Sequence, residues 1–375
     1  MWQTKCIQET CLKGTDIVRV EKDHIEINGK TILVTGAAGF IGYHLCRRLL
    51  TEYKGLKVIG MDCFSDYYDV GLKEYRTSSL NEYEGSSDNE FTMIRNTIAD
   101  KNALEEVFKE NNPSIVVNLA AQAGVRFSID HPDVYIESNI VGFYNILEAC
   151  RHYPVDHLVY ASSSSVYGGN KKVPFSTDDS VDAPISLYAA TKKSNELLAH
   201  SYSKLYDIPA TGLRFFTVYG PAGRPDMAYF LFTDKLVRGE TIKIFNFGNC
   251  KRDFTYVDDI VEGVIRVIGG APKRKLGDDG LPIPPYALYN IGGGQPENLM
   301  DFVHTLSEEL VTAGVLDKGF NVEEHMKLVP MQPGDVPVTY ADSTGLEKDY
   351  GFKPEISLRT GLREFAHWYK EYYIR

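Results

Sequence analysis

Tyr188 and Lys192 are the pair around which a reaction can be built, because four residues along a helix return a side chain to the same face, one turn on. The stretch that carries them, SLYAATKKSNELLAHSYSKLY from Ser186, has helical apolar spacing. A free phenol, with a pKa of about 10, is a poor base near neutrality. An ammonium held beside it favours the phenolate, lowering that pKa by roughly 1 to 3. Tyr188 is then able to take a proton from a substrate hydroxyl. The same spacing occurs at Tyr53/Lys57 and Tyr167/Lys171, so the surroundings must single Tyr188 out. Directly upstream, His157 to Ala161 is a short apolar run that predicts a buried strand, and Ser162 to Ser165 follow at its carboxyl end. Ligands of open α/β sheets gather at such strand ends.

The elements that must position these groups begin at Thr31. TILVT reads as a buried strand, followed by Gly36-Ala-Ala-Gly39-Phe40-Ile41-Gly42 and an amphipathic helix through Leu50. Glycines there allow positive φ and close backbone approach, and the helix N-terminus offers N–H groups to a pyrophosphate. A second strand, Lys57 to Met61, ends in Asp62, about twenty residues after the last glycine, where an acid can accept from a ribose 2′-hydroxyl and repel a 2′-phosphate. The expected cofactor is therefore NAD rather than NADP, and its nicotinamide cation would add to the pull on the Tyr188 proton. Alternation continues with Phe91 to Arg95, a helix from Asp100, Ser114 to Ala120, and a long helix from about Pro132 to Tyr153. Five such units predict a doubly wound parallel sheet of the Rossmann type. Ala120, Ala121 and Gly124 form a strand end of small residues on which a flat cofactor can lie. After Ala210 to Phe216, the loop TVYGPAGRPDM and a helix from about Ala228, the alternation weakens into a smaller C-terminal α/β substrate domain. Its expected parts are Thr241 to Phe247, Tyr286 to Ile291, a helix from Glu297 and Lys327 to Pro330, with 270–285 a Gly/Pro/charged loop. The expected division is 1–30 as an N-terminal extension, with Ile17 to Ile27 as an edge strand or hairpin, 31–216 as the cofactor domain, and 217–375 as mainly substrate domain. Segments at about 256–291 return to the cofactor domain.

A chain of 375 residues, 43% hydrophobic and 24% charged, is long enough for a large core. The net charge of −11 argues against nucleic acid or an anionic membrane as partner. The six cysteines are scattered without a Cys-x-x-Cys pair or nearby histidines, which predicts reduced thiols and no metal site. The first sixteen residues lack an apolar targeting core and no run of 18 apolar residues occurs, so the expected location is cytosolic.

With these motifs in place, the chain resembles the extended short-chain dehydrogenase/reductases that act on nucleotide sugars. Within them it is most similar to the UDP-glucuronate 4-epimerases, through MDCFSDYYDV, AAQAGVRFSI, YASSSSVYG, SLYAATK, LRFFTVYGPAGRPDMA, KRDFTYVDD and QPGDVPVTYAD. The resemblance implies a tightly bound NAD held by Gly36, Gly39, Phe40, Ile41, Gly42, Asp62, Ile98, Leu119, Ala120 and Ala121 together with Tyr188 and Lys192. It implies a catalytic triad of Ser163, Tyr188 and Lys192, and a homodimer formed by the helices around Asp133 to Tyr153 and Leu187 to Tyr206. UDP is expected mainly on the C-terminal domain, with Arg252 at the start of a helix on the diphosphate. Oxidation of glucuronate at carbon 4 gives a β-keto acid prone to lose CO₂, so Ser164, Ser165, Thr217 and Arg224, with Arg126 a further candidate, are expected to hold the carboxylate. Two positions depart from the family: Thr97 stands where Asp is frequent, and Cys63 where Asn is common. Related dehydratases carry Asp-Glu, and UDP-glucuronate decarboxylases Glu, where this chain has only hydroxyls. UDP-galactose 4-epimerases usually have Asn at the Thr217 position and Arg at the Gln332 position. A 4-epimerase of a neutral UDP-hexose or UDP-N-acetylhexosamine, and a non-catalytic NAD-binding protein, are the alternative readings.

Overall fold

The computed structural model describes residues 20–83, 86–331 and 337–374. Most of the N-terminal extension, with Cys6 and Cys11, and the Gln332 position lie outside the described residues.

Seven parallel strands form the central sheet: β1 (Thr31–Thr35), β2 (Lys57–Asp62), β3 (Glu90–Arg95), β4 (Ile115–Asn118), β5 (His157–Ser163), β6 (Ala210–Phe215) and a last strand at Tyr286–Ile291, in the order last-β6-β5-β4-β1-β2-β3. The order reverses direction beside β1, which leaves a crevice at the carboxyl ends of β1 and β4. Strands covered on both faces need apolar residues at every position. In β1, Ile32 and Val34 enter one core while Leu33 enters the other, as two-residue periodicity requires. The helices follow suit: α1 (Phe40–Glu52) packs on one side with Val257–Ile268, while α2 (Val70–Asn81) packs beside α1. On the other side α3 (Lys101–Asn111) packs on α4 (Phe143–His152), and α4 on α5 (Leu187–Tyr206). The stretch expected as one long helix from Pro132 is helical, but Ile136–Gly142 widens to five-residue hydrogen-bonded turns before α4. Gly142 lies there against Ile98, whose Cγ1 would stand 2.6 Å from an added Cβ.

Beyond β6 the chain builds a second layer around β7 (Thr217–Tyr219) and β8 (Lys251–Tyr256), which pair in parallel. Pro296–Asn298 and Val338–Thr339 flank β8 on its other register positions. The helices Ala228–Val237 (α6), Val257–Ile268 (α7), Leu299–Ala313 (α8) and Leu358–Tyr373 (α9) cover this layer or return to α1. Asp253, fully buried on β8, accepts from the amides of Gly293 (2.8 Å), Gly294 (3.0 Å) and Ala341 (2.9 Å), tying three segments to one strand. The Tyr286–Ile291 strand, labelled β9 from here, thus belongs to the main sheet rather than to the second layer. Ahead of β1, Lys22–His24 pairs antiparallel with Gly270–Pro272, so this edge strand forms a separate two-stranded ribbon.

Candidate active site

The glycine turn after β1 is built for backbone contact. Gly36 has φ +70°, and a Cβ on it would stand 2.8 Å from the Ala120 nitrogen. A Cβ on Gly42 would stand 2.1 Å from the Gly36 carbonyl oxygen, so the turn closes only with hydrogen there. Gly39 caps α1 without a side-chain acceptor, which leaves the helix N-terminus to a ligand. Above it opens a cavity of about 450 Å³ along the carboxyl ends of β1, β2, β4 and β5. Every residue expected to bind the cofactor lines it: Gly36, Gly39, Phe40, Ile41, Gly42, Asp62, Ile98, Leu119, Ala120, Ala121, Tyr188 and Lys192.

At one end Asp62 accepts from the backbone amides of Ala38 (3.2 Å) and Phe64 (2.8 Å), which fixes its carboxylate at the tip of β2. Lys73 of α2 comes within 3.9 Å of that carboxylate and donates to Ser65 at 3.0 Å. Thr97, where the family often has Asp, also lines this end, and Cys63 is exposed beside it. Bare helix amides for a pyrophosphate, an acid anchored at the tip of the neighbouring strand and small residues at Ala120 and Ala121 fit a dinucleotide.

The opposite end holds the reactive groups. Ser186 caps α5 by accepting from the Ala189 amide at 3.1 Å, which sets Tyr188 in the first turn, partly exposed into the cavity. Burial pushes the Tyr188 phenol above its ordinary value, while a hydrogen bond with Ser163 and the charge of Arg224 pull it back down. Lys192 is buried and donates to the Ala161 carbonyl of β5 at 3.0 Å; burial presses its ammonium down to about 8. Its ammonium is thus engaged by the strand backbone. Ser163, the last residue of β5, accepts from the Ser165 amide at 3.2 Å and meets the Ser165 hydroxyl at 3.1 Å. Ser162, also on the cavity lining, donates to Glu196, which forms a two-bond ion pair with the buried Arg214 at 2.8 Å. Tyr53 ends α1 and Tyr167 is buried in a separate aromatic cluster, so neither of the other tyrosine–lysine spacings reaches the cavity.

Of the residues expected on a sugar carboxylate, Arg224 lines the cavity, with Nε and Nη2 on Asp226 at 3.0 and 2.6 Å. Asp226 also accepts from the Tyr67 hydroxyl at 3.1 Å. Ser164, Ser165 and Thr217 do not line this cavity: the chain turns after Ser163 into a short helical turn, Ser164–Tyr167, and Thr217 opens β7 beyond the sheet. Arg126 lies outside as well, exposed, with its guanidinium 5.9 Å from the Phe245 ring centre. Arg252 is not at a helix start. It lies within β8, held there by pairing on both sides, and donates to the carbonyls of Lys251 (3.0 Å) and Pro337 (3.1 Å). Sequence reasoning missed Tyr67 and Lys73, which the fold brings to the cavity, and Asp226, which holds Arg224 there; SDYYDV and GRPDM contain two of the three. Among the described residues no group of three His, Cys, Asp or Glu side chains forms a metal site, and Cys46, Cys63, Cys150 and Cys250 are free thiols.

A glycine turn, an acid at the tip of the second strand and a tyrosine–lysine pair over the fourth and fifth strands define a dinucleotide-binding α/β protein with a proton-transfer site. Residues 32–279 match the NAD dependent epimerase/dehydratase family, and the chain belongs to that family. Protein CapI of Staphylococcus aureus is 49% identical over 348 residues, 91% of this chain and 99% of the relative. A probable UDP-glucuronate 4-epimerase of Rhizobium meliloti (strain 1021) is 43% identical over 350 residues, 92% of this chain and 98% of that one. Among solved structures, the UDP-glucuronic acid 4-epimerase from Bacillus cereus in complex with UDP-glucuronic acid and NAD is similar at a TM-score of 0.78 and 32% identity, covering 92% of this chain and 100% of that one.

Proposed function

We propose that this protein is an NAD-dependent 4-epimerase of a UDP-sugar, interconverting UDP-glucuronate and UDP-galacturonate. The observation that carries the reading is the convergence of Ser163, Tyr188, Lys192 and Arg224 at one end of a cavity whose other end is the glycine turn and Asp62. NAD, when bound, would supply the acceptor and donor of a hydride at carbon 4, and the keto-sugar would have to turn over between the two transfers. Tyr188 as phenolate removes the 4-hydroxyl proton and later gives it back, while Ser163 hydrogen-bonds the same hydroxyl and fixes its direction. Lys192, once turned from Ala161, holds the cofactor ribose. Arg224 presents the end of its guanidinium not engaged by Asp226 to the sugar carboxylate. A carboxylate held there keeps its bond to carbon 5 out of line with the ketone π system, which suppresses loss of CO₂. We assign the UDP diphosphate to Arg252, and keep Ser164, Ser165, Thr217 and Arg126 as further carboxylate contacts although none of them lines the cavity.

Exposed apolar side chains on the Pro132–His152 stretch (Val134, Ile136, Val141, Tyr144) and on α5 (Leu197, Leu205) support a homodimer through these helices. Free thiols support the cytosol as its location. Among the described residues no helix is long and apolar enough to cross a membrane. We keep 31–216 with 256–291 as the cofactor domain and the remainder of 217–375 as the sugar domain. A second reading, a neutral UDP-hexose, is favoured by the Arg224–Asp226 pair, which neutralises the guanidinium without a substrate carboxylate. Assaying the purified protein with UDP-glucuronate, UDP-glucose and UDP-N-acetylglucosamine decides between them. UDP-glucuronate should be converted with the highest kcat/KM, and a preference for UDP-glucose would overturn the uronate assignment.

A further inference from the structure

Arg76 on α2 is fully buried, and among the described residues no carboxylate forms an ion pair with it. A buried charge without a counter-ion is costly, and it persists only where other groups satisfy its donors. Here the acceptors are three backbone carbonyls and one hydroxyl. Nε and Nη2 donate to Ala222 at 3.0 and 2.7 Å, and Nη2 also to Gly223 at 2.9 Å. Nη1 donates to Ala38 at 2.9 Å and to the Tyr68 hydroxyl at 2.8 Å. Ala38 lies in the glycine turn, whereas Ala222 and Gly223 lie in the loop that carries Arg224 and Asp226. One planar guanidinium thus spans the backbone of both walls of the cavity.

The loop it holds cannot keep its shape unaided. Ala222 has φ +48°, a left-handed conformation that an alanine avoids and that persists only when its surroundings over-determine it. The cofactor half grips the loop at two further points: His44 of α1 meets the Pro221 carbonyl at 2.9 Å, and Tyr67 donates to Asp226. Of these contacts, the Arg76 guanidinium is the one that also touches the glycine turn.

We infer that Arg76 is a positioning residue that locks the glycine turn and the Arg224 loop into one unit, so that the sugar end of the site is set relative to the cofactor end. A lysine in its place keeps the charge, but a single ammonium cannot face Ala38 and Gly223 together. The kinetic consequence rests on the epimerase reading; the structural one does not.

The test compares wild type with Arg76→Lys, both with NAD bound. By hydrogen exchange, the amides of Ala222 and Gly223, neither of which lines the cavity, should exchange at least about tenfold faster in the variant while NAD content is retained. The kcat for UDP-glucuronate, per mole of bound NAD, should fall about 10- to 100-fold with KM changed less than about threefold, as a small misplacement of reacting groups requires. The UDP-pentose share of the product should rise as well. A purely structural arginine would lower the melting temperature and leave exchange in this loop, and kcat per bound NAD, at wild-type values; that result would overturn the inference. Should the lysine variant not accumulate folded, wild type decides: protection at Ala222 and Gly223 should follow NAD loading, and exchange indifferent to NAD refutes the coupling. A wild type inactive on UDP-glucuronate would sink the proposed function alone. The exchange arm would stand, and the kinetic arm would use whichever UDP-sugar is turned over.

Discussion

Removing the carboxylate of Glu196 is the perturbation whose size follows most directly from the structure. Glu196 and Arg214 have side chains 3% and 2% exposed and meet through two bonds of 2.8 Å, with Ser162 as a third donor at 2.7 Å. Glu196→Ala leaves a buried guanidinium without its anion, a change that costs about 3–5 kcal/mol. Replacing both partners by apolar residues of similar volume, Glu196→Leu with Arg214→Met, removes the stranded charge and should return stability to within about 2 kcal/mol of wild type. Ser162 loses its acceptor in both variants, so that loss, on the order of 1 kcal/mol, cancels between them. Urea unfolding at fixed NAD concentration gives the three stabilities and, from the difference between the two variants, the cost of the stranded charge. A pair this buried should also ignore ionic strength, unlike exposed ion pairs of the surface. The reasoning is wrong if Glu196→Ala costs less than about 1 kcal/mol, or if the double variant is no more stable than the single one.

Tyr188→Phe should keep its fold and NAD content while kcat drops by about 10²- to 10⁴-fold, the contribution of a positioned acid–base group; retained turnover in a steady-state assay would remove Tyr188 from the mechanism. Asp62→Ala should weaken NAD binding by about 10- to 100-fold in a calorimetric titration, the loss of a charge-assisted hydrogen bond, and a wild-type preference for NADP would contradict the role given to Asp62. Lys192 is held at about 8 by burial, against an ordinary value of 10.5, so between those pH values the unfolded chain binds a proton that the folded chain does not. Stability of the NAD-free protein should therefore rise as pH increases through that window, by roughly 3 kcal/mol at most, and Lys192→Met should abolish this rise in pH-dependent unfolding curves.

What a sequence reader can see and what the fold alone supplies divide along a physical line. The glycine turn and Asp62 were legible because their constraint is local: Gly36 has a positive φ, Gly42 has no room for a Cβ against Gly36, and the strand before them is apolar at each of its central positions. Tyr188 was legible for the same reason, since a serine cap and helical spacing fix its place in the first turn. The serine cluster was only half legible. Ser162 and Ser163 both line the cavity, but the Ser162 hydroxyl is spent on Glu196, and the short turn that follows carries Ser164 and Ser165 out of the lining. Tyr67 and Arg76 were illegible because they bond to Asp226 and Ala222, 159 and 146 residues further along the chain. Arg252 shows the opposite failure: KRDFTYVDD runs straight into a helix, yet β7, Pro296–Asn298 and Val338–Thr339 claim its first residues for a sheet. The wide turns of Ile136–Gly142 leave an apolar pattern that reads as an unbroken helix.

The outermost strand of the main sheet has a consequence for how the chain is made. Tyr286–Ile291 pairs in register with Ala210–Phe215, so the cofactor half keeps an open apolar edge throughout synthesis of everything between them. An uncovered edge of that kind recruits other chains. Ribosome-bound protein should therefore become resistant to protease, and able to retain NAD, only after β9 has left the exit tunnel. A chain stopped at residue 279, where the family match ends, should aggregate although it contains the glycine turn, the serine cluster, Tyr188 and Lys192. The chemistry is encoded early, and the nascent chain must wait for a late segment to close the sheet that holds it.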